Sequence, residues 1–267
     1  MGQVSDASPT LRVALVQTAS SLDPAVNRGA LPGHLAAAAA RHAGRADLVV
    51  LPEACARDFG EPGSEAAYAE PLDGPFATAL ADAAGAVGTT AVAGMFETAD
   101  DPARPFNTLV VRGGAQAAYR KIHLYDSFGQ RESDRLTAGA TEPVVVEVAG
   151  WQVGLMTCYD LRFPELARAL AVGGAEALVV PAAWVAGERK VEHWRTLVRA
   201  RAIENTVFVL AAGQPGPRYS GHSLVVDPLG DVLAEAGDGP EVVTAELDGE
   251  ILATARRTNP SLANRRL

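Results

Sequence analysis

Two short apolar runs constrain the fold more than any other feature of this sequence. Asp47-Leu-Val-Val-Leu-Pro-Glu53 and Glu176-Ala-Leu-Val-Val-Pro-Ala182 echo one another, each an uninterrupted Val/Leu stretch closing on proline. Runs of this length are too short for a helix and show no polar alternation, so both read as strands buried on two faces. Segments of helical composition separate the strand-like ones. Pro24–Ala43, Pro75–Val87, Pro164–Val172 and Val191–Glu204 read as helices, and Leu11–Thr18, Thr89–Phe96, Ala177–Pro181, Val207–Ala212 and Glu241–Glu246 as strands. Hairpins interrupt the alternation. Asn107–Val111 and Ala115–Lys121 flank Arg112-Gly113-Gly114, and Pro143–Val148 and Trp151–Met156 flank Ala149-Gly150. Helices covering strands give an α/β fold, and the hairpins make its sheets mixed rather than wholly parallel. The echo divides it into two similar sheet-plus-helix halves, packed sheet on sheet with helices outside. Hydrophobic residues make up 48% of the 267, enough to fill such a core.

Charge narrows the function. A net charge of -9 argues against nucleic acid as a partner. No apolar stretch is long enough for a membrane span, and Met1–Thr10 has neither the basic nor the apolar region of a secretory leader. These features predict a cytoplasmic protein with reduced thiols at Cys55 and Cys158. Residues 1–10 read as a flexible N-terminus, 11–256 as a single domain and 257–267 as a tail. No Gly-rich phosphate loop is present, and the five histidines lack metal-ligand spacing.

The chemistry concentrates at strand ends. Trp151–Thr157 runs into Cys158-Tyr-Asp-Leu-Arg-Phe-Pro-Glu165, a strand, a tight turn and a helix with a thiol at the turn. A nearby helix N-terminus favours a thiolate, the nucleophilic form; the same position also suits an inert buried cysteine. Glu53 closes the first apolar run, at the edge where α/β sheets gather their ligands. Lys121 ends Tyr119-Arg-Lys in a chain where arginine dominates, and its ammonium suits an oxyanion. Glu132 lies in the polar loop Gly129–Ser133. Each of these residues, taken singly, is also an ordinary surface group. Cys55, two residues past Glu53, fits the core or a pocket wall equally.

Taken together, Leu-Pro-Glu53, Tyr-Arg-Lys121-Ile-His-Leu, the Cys158 segment and Arg199-Ala-Arg-Ala-Ile-Glu-Asn205, in this order and spacing, resemble the nitrilase superfamily of carbon–nitrogen hydrolases. The likeness spans Leu11 to about Glu246. It implies a four-layer α-β-β-α sandwich and a Glu-Lys-Cys triad. Cys158 would be the nucleophile, Glu53 the general base, and Lys121 the oxyanion stabiliser, with the backbone N–H of Tyr159 beside it. Glu132 would be a supporting acid. The residues after the cysteine are most similar to the amidase branch containing omega-amidases and deaminated-glutathione amidases. The implied reaction cleaves a small linear carboxamide to carboxylate and ammonia through a Cys thioester, with no metal or organic cofactor. Nitrile or N-carbamoyl hydrolysis, or a non-catalytic binding sandwich, are the alternatives. Such substrates carry a carboxylate, so a cation is expected among Arg57, Arg131, Arg189, Lys190 and Arg218. Arg131, Trp184 and Phe128 are the candidate pocket residues. Arg162 and Glu165 are candidates for an ion pair fixing the turn. The resemblance also implies a homodimer or larger assembly, with Val191–Glu204 offering Trp194, Leu197, Val198 and Ile203 as a contact face.

Overall fold

Alternate side chains along each strand of the first sheet face different layers. In a computed structural model describing residues 9–266, Val13 and Leu15 of β1 (Leu11–Gln17) point into the space between two sheets, while Ala14 and Val16 point to covering helices. The same split recurs in β2 (Leu48–Val50), where Leu48 and Val50 face inward and Val49 outward. This period-two division is why these strands read as unbroken apolar runs: both faces are buried.

The first sheet has six strands in the order β12-β1-β2-β3-β4-β5, adding β3 (Thr90–Glu97), β4 (Phe106–Gly113), β5 (Ala117–Arg120) and β12 (Glu241–Leu247). The second mirrors it as β11-β10-β9-β8-β7-β6, built from β6 (Val145–Val148), β7 (Trp151–Leu155), β8 (Ala177–Ala182), β9 (Phe208–Gly213), β10 (Leu224–Val226) and β11 (Val232–Glu235). Each contains a parallel trio, β1-β2-β3 or β7-β8-β9, flanked by antiparallel strands. The two echoing runs are the middle strands, β2 and β8, of these trios. The sheets are mixed, as the hairpins predict, and Ala149 and Gly150 both take the positive φ that the β6–β7 turn needs.

Helices α1 (Pro24–Ala40) and α2 (Pro75–Val87) cover the first sheet, with Leu31, Leu35, Phe76 and Leu80 buried against Val49, Ala91 and Val110. Helices α3 (Pro164–Val172) and α4 (Lys190–Asn205) cover the second. Proline at the first position starts α1, α2 and α3, where a missing N–H costs nothing. Helix α1 stops three residues short of the predicted end because Ala43 and Gly44 both adopt positive φ. The last helix, α5 (Gly249–Thr258), is capped by Asp248 and extends two residues into the predicted tail. Residues 1–8 of the expected flexible N-terminus lie outside the described residues. The α-β-β-α layering stands as the sequence implied. No helix of the described residues is long and apolar enough to cross a membrane.

The contact face expected on α4 is divided: Ile203 is exposed and Leu197 half-buried, while its other two members serve the interior. Trp194 and Val198 are buried, and Trp194 donates its indole N–H to the His222 carbonyl at 2.8 Å. Buried Lys190, Arg201 and Asn205 share the helix, so its inner side is not a simple apolar stripe.

Candidate active site

Three strand ends from two sheets meet at one cavity. Glu53 follows β2 and Lys121 follows β5 in the first sheet; Cys158 follows β7 in the second. All three, with Glu132, line a cavity of about 180 Å³ whose wall also includes Tyr125, Tyr159 and Trp184. Two lysines are all this chain has, Lys121 and Lys190, and both line it.

Glu53 is held on every side. Its Oε1 accepts from Lys121 Nζ at 2.9 Å and from Asn107 Nδ2 at 2.8 Å, and its Oε2 accepts from the Ala183 N–H at 2.7 Å. Behind it, Gly94 of β3 passes so close that a Cβ there would lie 2.5 Å from the Ala54 nitrogen and 2.7 Å from the Glu53 Cα. Lys121 is 2% exposed and also bonds Glu132 Oε2 at 2.8 Å. Burial pulls its pKa down, but the charges of Glu132 and Glu53 outweigh that and push it well above the ordinary lysine range. The ammonium therefore stays charged. Two of its protons are committed to carboxylates, leaving one for a ligand. Glu132 accepts from Lys121, from the Tyr125 N–H at 2.6 Å and from Asn107 at 3.3 Å, so both its oxygens are fully engaged.

Cys158 opens a five-residue 3-10 turn, Cys158–Arg162, with φ of +45°. A side chain pays a steric penalty in that region, so the turn must be over-determined by its surroundings. Asp160 supplies this. Fully buried, it accepts from the Thr157 N–H at 2.9 Å, Tyr119 Oη at 2.6 Å, and His123 through both its N–H at 3.0 Å and Nδ1 at 2.7 Å. Tyr119 and His123 flank Lys121, so this one carboxylate ties the cysteine turn to the lysine strand. The thiolate expected from a helix N-terminus is not the resting form. Burial, then the Glu53 charge, pushes the thiol well above the ordinary cysteine range, against a smaller downward pull from Lys121. A five-residue turn has too little dipole to reverse that. Tyr159, next in the turn, has an N–H with no acceptor inside so short a helix.

Other predicted residues fall elsewhere. Trp184 lines the cavity as expected. Arg131 does not: it precedes the Glu132–Asp134 turn, its side chain is 72% exposed, and it pairs with Asp134 at 3.5 Å. Phe128 is 63% exposed and lies over Lys190 rather than in the wall. Of the candidate cations, Lys190 and Arg218 line the cavity. Arg57 is turned to the Leu22 and Asp58 carbonyls. Arg162 forms no ion pair with Glu165, which sits exposed at the start of α3. Cys55 belongs to the core beneath α1 and α2, where burial pushes its thiol up to about 12. Asn107, Gly94 and Asp160 escape sequence reasoning, because nothing local marks a β4 asparagine as the partner of residues 54 positions before it and 25 after it. Among the described residues, no group of three or more His, Cys, Asp and Glu side chains is placed to hold a metal ion.

Comparison with known proteins gives a consistent picture. The family model described as carbon-nitrogen hydrolase matches residues 12–257. A deaminated glutathione amidase of Escherichia coli O157:H7 is 43% identical over 222 residues, covering 82% of this chain and 84% of its own. The enzyme of that name from Rattus norvegicus is 39% identical, covering 82% and 72%. Among solved structures, Saccharomyces cerevisiae Nit3, a member of branch 10 of the nitrilase superfamily, superposes with a TM-score of 0.87 at 29% identity, covering 98% of each chain.

Proposed function

The chain belongs to the carbon–nitrogen hydrolase family, and from that premise we propose that it is a thiol amidohydrolase that cleaves a small linear carboxamide through a thioester on Cys158. The observation carrying this is the convergence of a buried thiol, an ammonium and a carboxylate at one cavity, with Glu53 bonded to Lys121 at 2.9 Å.

Each step follows from that geometry. The resting thiol needs a base, and Glu53, which lines the same cavity, is the carboxylate whose charge acts on it most strongly. As sulfur attacks the amide carbon, Glu53 takes the thiol proton. The carbonyl oxygen becomes an oxyanion, met by the third proton of Lys121 and the Tyr159 N–H. When the C–N bond breaks, Glu53 returns the proton to the leaving nitrogen and ammonia departs. Water then attacks the thioester and gives its proton to Glu53. The C–S bond breaks, the acid is released, and the thiol is restored. Glu132, whose oxygens are all occupied, holds Lys121 in place rather than moving protons.

The relatives named deaminated glutathione amidase support an ω-amide of a keto acid, or deaminated glutathione itself, as the substrate. An ammonia-release screen over graded carboxamides tests the proposal. Turnover of at least one such amide, abolished by Cys158→Ala with an unchanged circular dichroism spectrum, is expected. Undiminished release by that variant refutes the mechanism. We also propose a homodimer, checked by light scattering of the purified protein.

A further inference from the structure

Lys121 answers two carboxylates with a single charge. Its ammonium bonds Glu53 at 2.9 Å and Glu132 at 2.8 Å, and all three side chains are buried, so one negative charge has no cation of its own. Two carboxylates sharing one site ordinarily keep a proton between them. A Glu53 already holding that proton cannot accept one from a thiol. The group standing where a second cation is missing is an amide. Asn107 of β4 is 1% exposed, and its Nδ2 donates to Glu53 Oε1 at 2.8 Å and to Glu132 Oε1 at 3.3 Å. An amide nitrogen carries two protons, so each carboxylate receives one. The Asn107 Oδ1 is buried and makes no hydrogen bond, a costly state for an acceptor. Turning the amide over would set that oxygen against two carboxylate oxygens, so the two acids hold it in this sense. The Asn107 carbonyl meanwhile accepts the Lys121 N–H at 2.8 Å. One residue therefore places both the lysine backbone and the oxygens its ammonium meets. With Lys121 and Asn107 both donating to it, Glu53 Oε1 has no lone pair left, whereas Oε2 accepts only the Ala183 N–H among the described residues.

We propose that Asn107 is a positioning residue that keeps Glu53 and Glu132 ionised together and confines the travelling proton to Glu53 Oε2. A donor bonded to a carboxylate favours its charged form, and Asn107 does this at both acids at once. The proton that leaves sulfur lands on Oε2, the one oxygen of Glu53 with a free lone pair, and passes from there to the departing nitrogen. The other groups around Glu53 act differently. Lys121 attracts its charge, Glu132 repels it, and Cys158 and Tyr219 stay neutral because burial raises both. This assignment rests on the amidohydrolase reading and adds to it the residue that readies the base.

Asn107→Leu tests it, keeping a branched side chain and the backbone bond to Lys121 while removing both donors. The acid limb of its kcat/KM profile, on an amide that wild type cleaves, is expected roughly one to two pH units higher, the size of a hydrogen bond to a charged group. Isosteric Asn107→Asp brings a third carboxylate to the cluster and is expected to move the limb the same way. Activity lowered at every pH with the limb unmoved marks a merely structural role and overturns the proposal. Infrared titration reads the acids without turnover, a buried protonated carboxyl being assigned by its loss in Glu53→Gln or Glu132→Gln. Wild type is expected to show no such band at neutral pH, and a band there overturns the proposal even if neither Asn107 variant folds. Ammonia from no amide is a failure of the amidohydrolase reading, and the infrared midpoints then decide the role of Asn107. A midpoint higher in Asn107→Leu than in wild type supports it; an unchanged one overturns it.

Discussion

Replacing Gly94 with alanine strikes at Glu53, the proposed general base, without touching any group that would react. The added methyl would sit 2.5 Å from the Ala54 nitrogen, 2.7 Å from the Glu53 Cα and 3.0 Å from the Glu53 carbonyl carbon. All three are backbone atoms. Ordinary contact needs nearly 1 Å more than the shortest of these, so β3 and the Glu53–Ala54 peptide must separate by roughly that amount. The neighbourhood resists: Gly94 N–H donates to the Pro52 carbonyl at 3.1 Å, and its own carbonyl accepts from the Ala56 N–H at 3.0 Å. Overpacking of this kind costs about 1–3 kcal/mol. A displacement near 1 Å at a catalytic group costs on the order of 100-fold in rate. Urea unfolding and ammonia-release kinetics read the two effects, with Gly85→Ala as control, since a Cβ there meets nothing within 4 Å. Gly94→Ala is expected to lose both stability and kcat/KM, and Gly85→Ala neither. A Gly94→Ala protein with wild-type kcat/KM would refute the claim that this close approach sets the position of Glu53.

Other perturbations separate the roles within the site. Glu53→Gln removes the charge that holds the Cys158 proton on. Its iodoacetamide alkylation at a fixed pH below the thiol's titration should therefore quicken, while ammonia release falls by about 100- to 10,000-fold for want of a base; slower alkylation would contradict the sign. Lys121→Met strands two buried carboxylates and should cost about 3–5 kcal/mol by urea unfolding, with near-wild-type stability as the refuting result. Tyr119→Phe takes one of four donors from Asp160 and should cost about 1–3 kcal/mol. Its kcat should change less than that of Asp160→Ala, which frees the cysteine turn from the lysine strand altogether.

The strands and helices were legible because their signals are local. Pro75–Val87 and Pro164–Val172 carry proline starts and helical composition, and their observed bounds match the predicted ones. Cys158, Lys121 and Glu53 each close a strand, but it was their order and spacing, taken together as a resemblance to the carbon–nitrogen hydrolases, that singled them out, and the structure brings all three to one cavity. What the sequence hid depends on distant pairing. Asn107 bridges Glu53 and Glu132 only because β4 lies beside β3, and Asp160 reaches Tyr119 only across the two sheets. Arg131 misled because it adjoins Glu132 in sequence, yet the intervening backbone turns the two side chains apart, one outward and one buried. The thiol's protonation state was likewise not local. A strand–turn–helix pattern suggests a dipole, but the neighbouring carboxylate and the surrounding burial decide the sign.

Glu53 and the Lys121 ammonium ride on one sheet and the sulfur on the other, joined at this edge by polar contacts: Asp160 to Tyr119, Glu53 to the Ala183 N–H, Gln214 to the Glu53 carbonyl, and Tyr219 to Asp58. Ammonia release thus acts as a vernier on the alignment of the sandwich. On gentle heating, a slip of one sheet past the other should extinguish turnover while the far-ultraviolet signal of intact strands and helices persists.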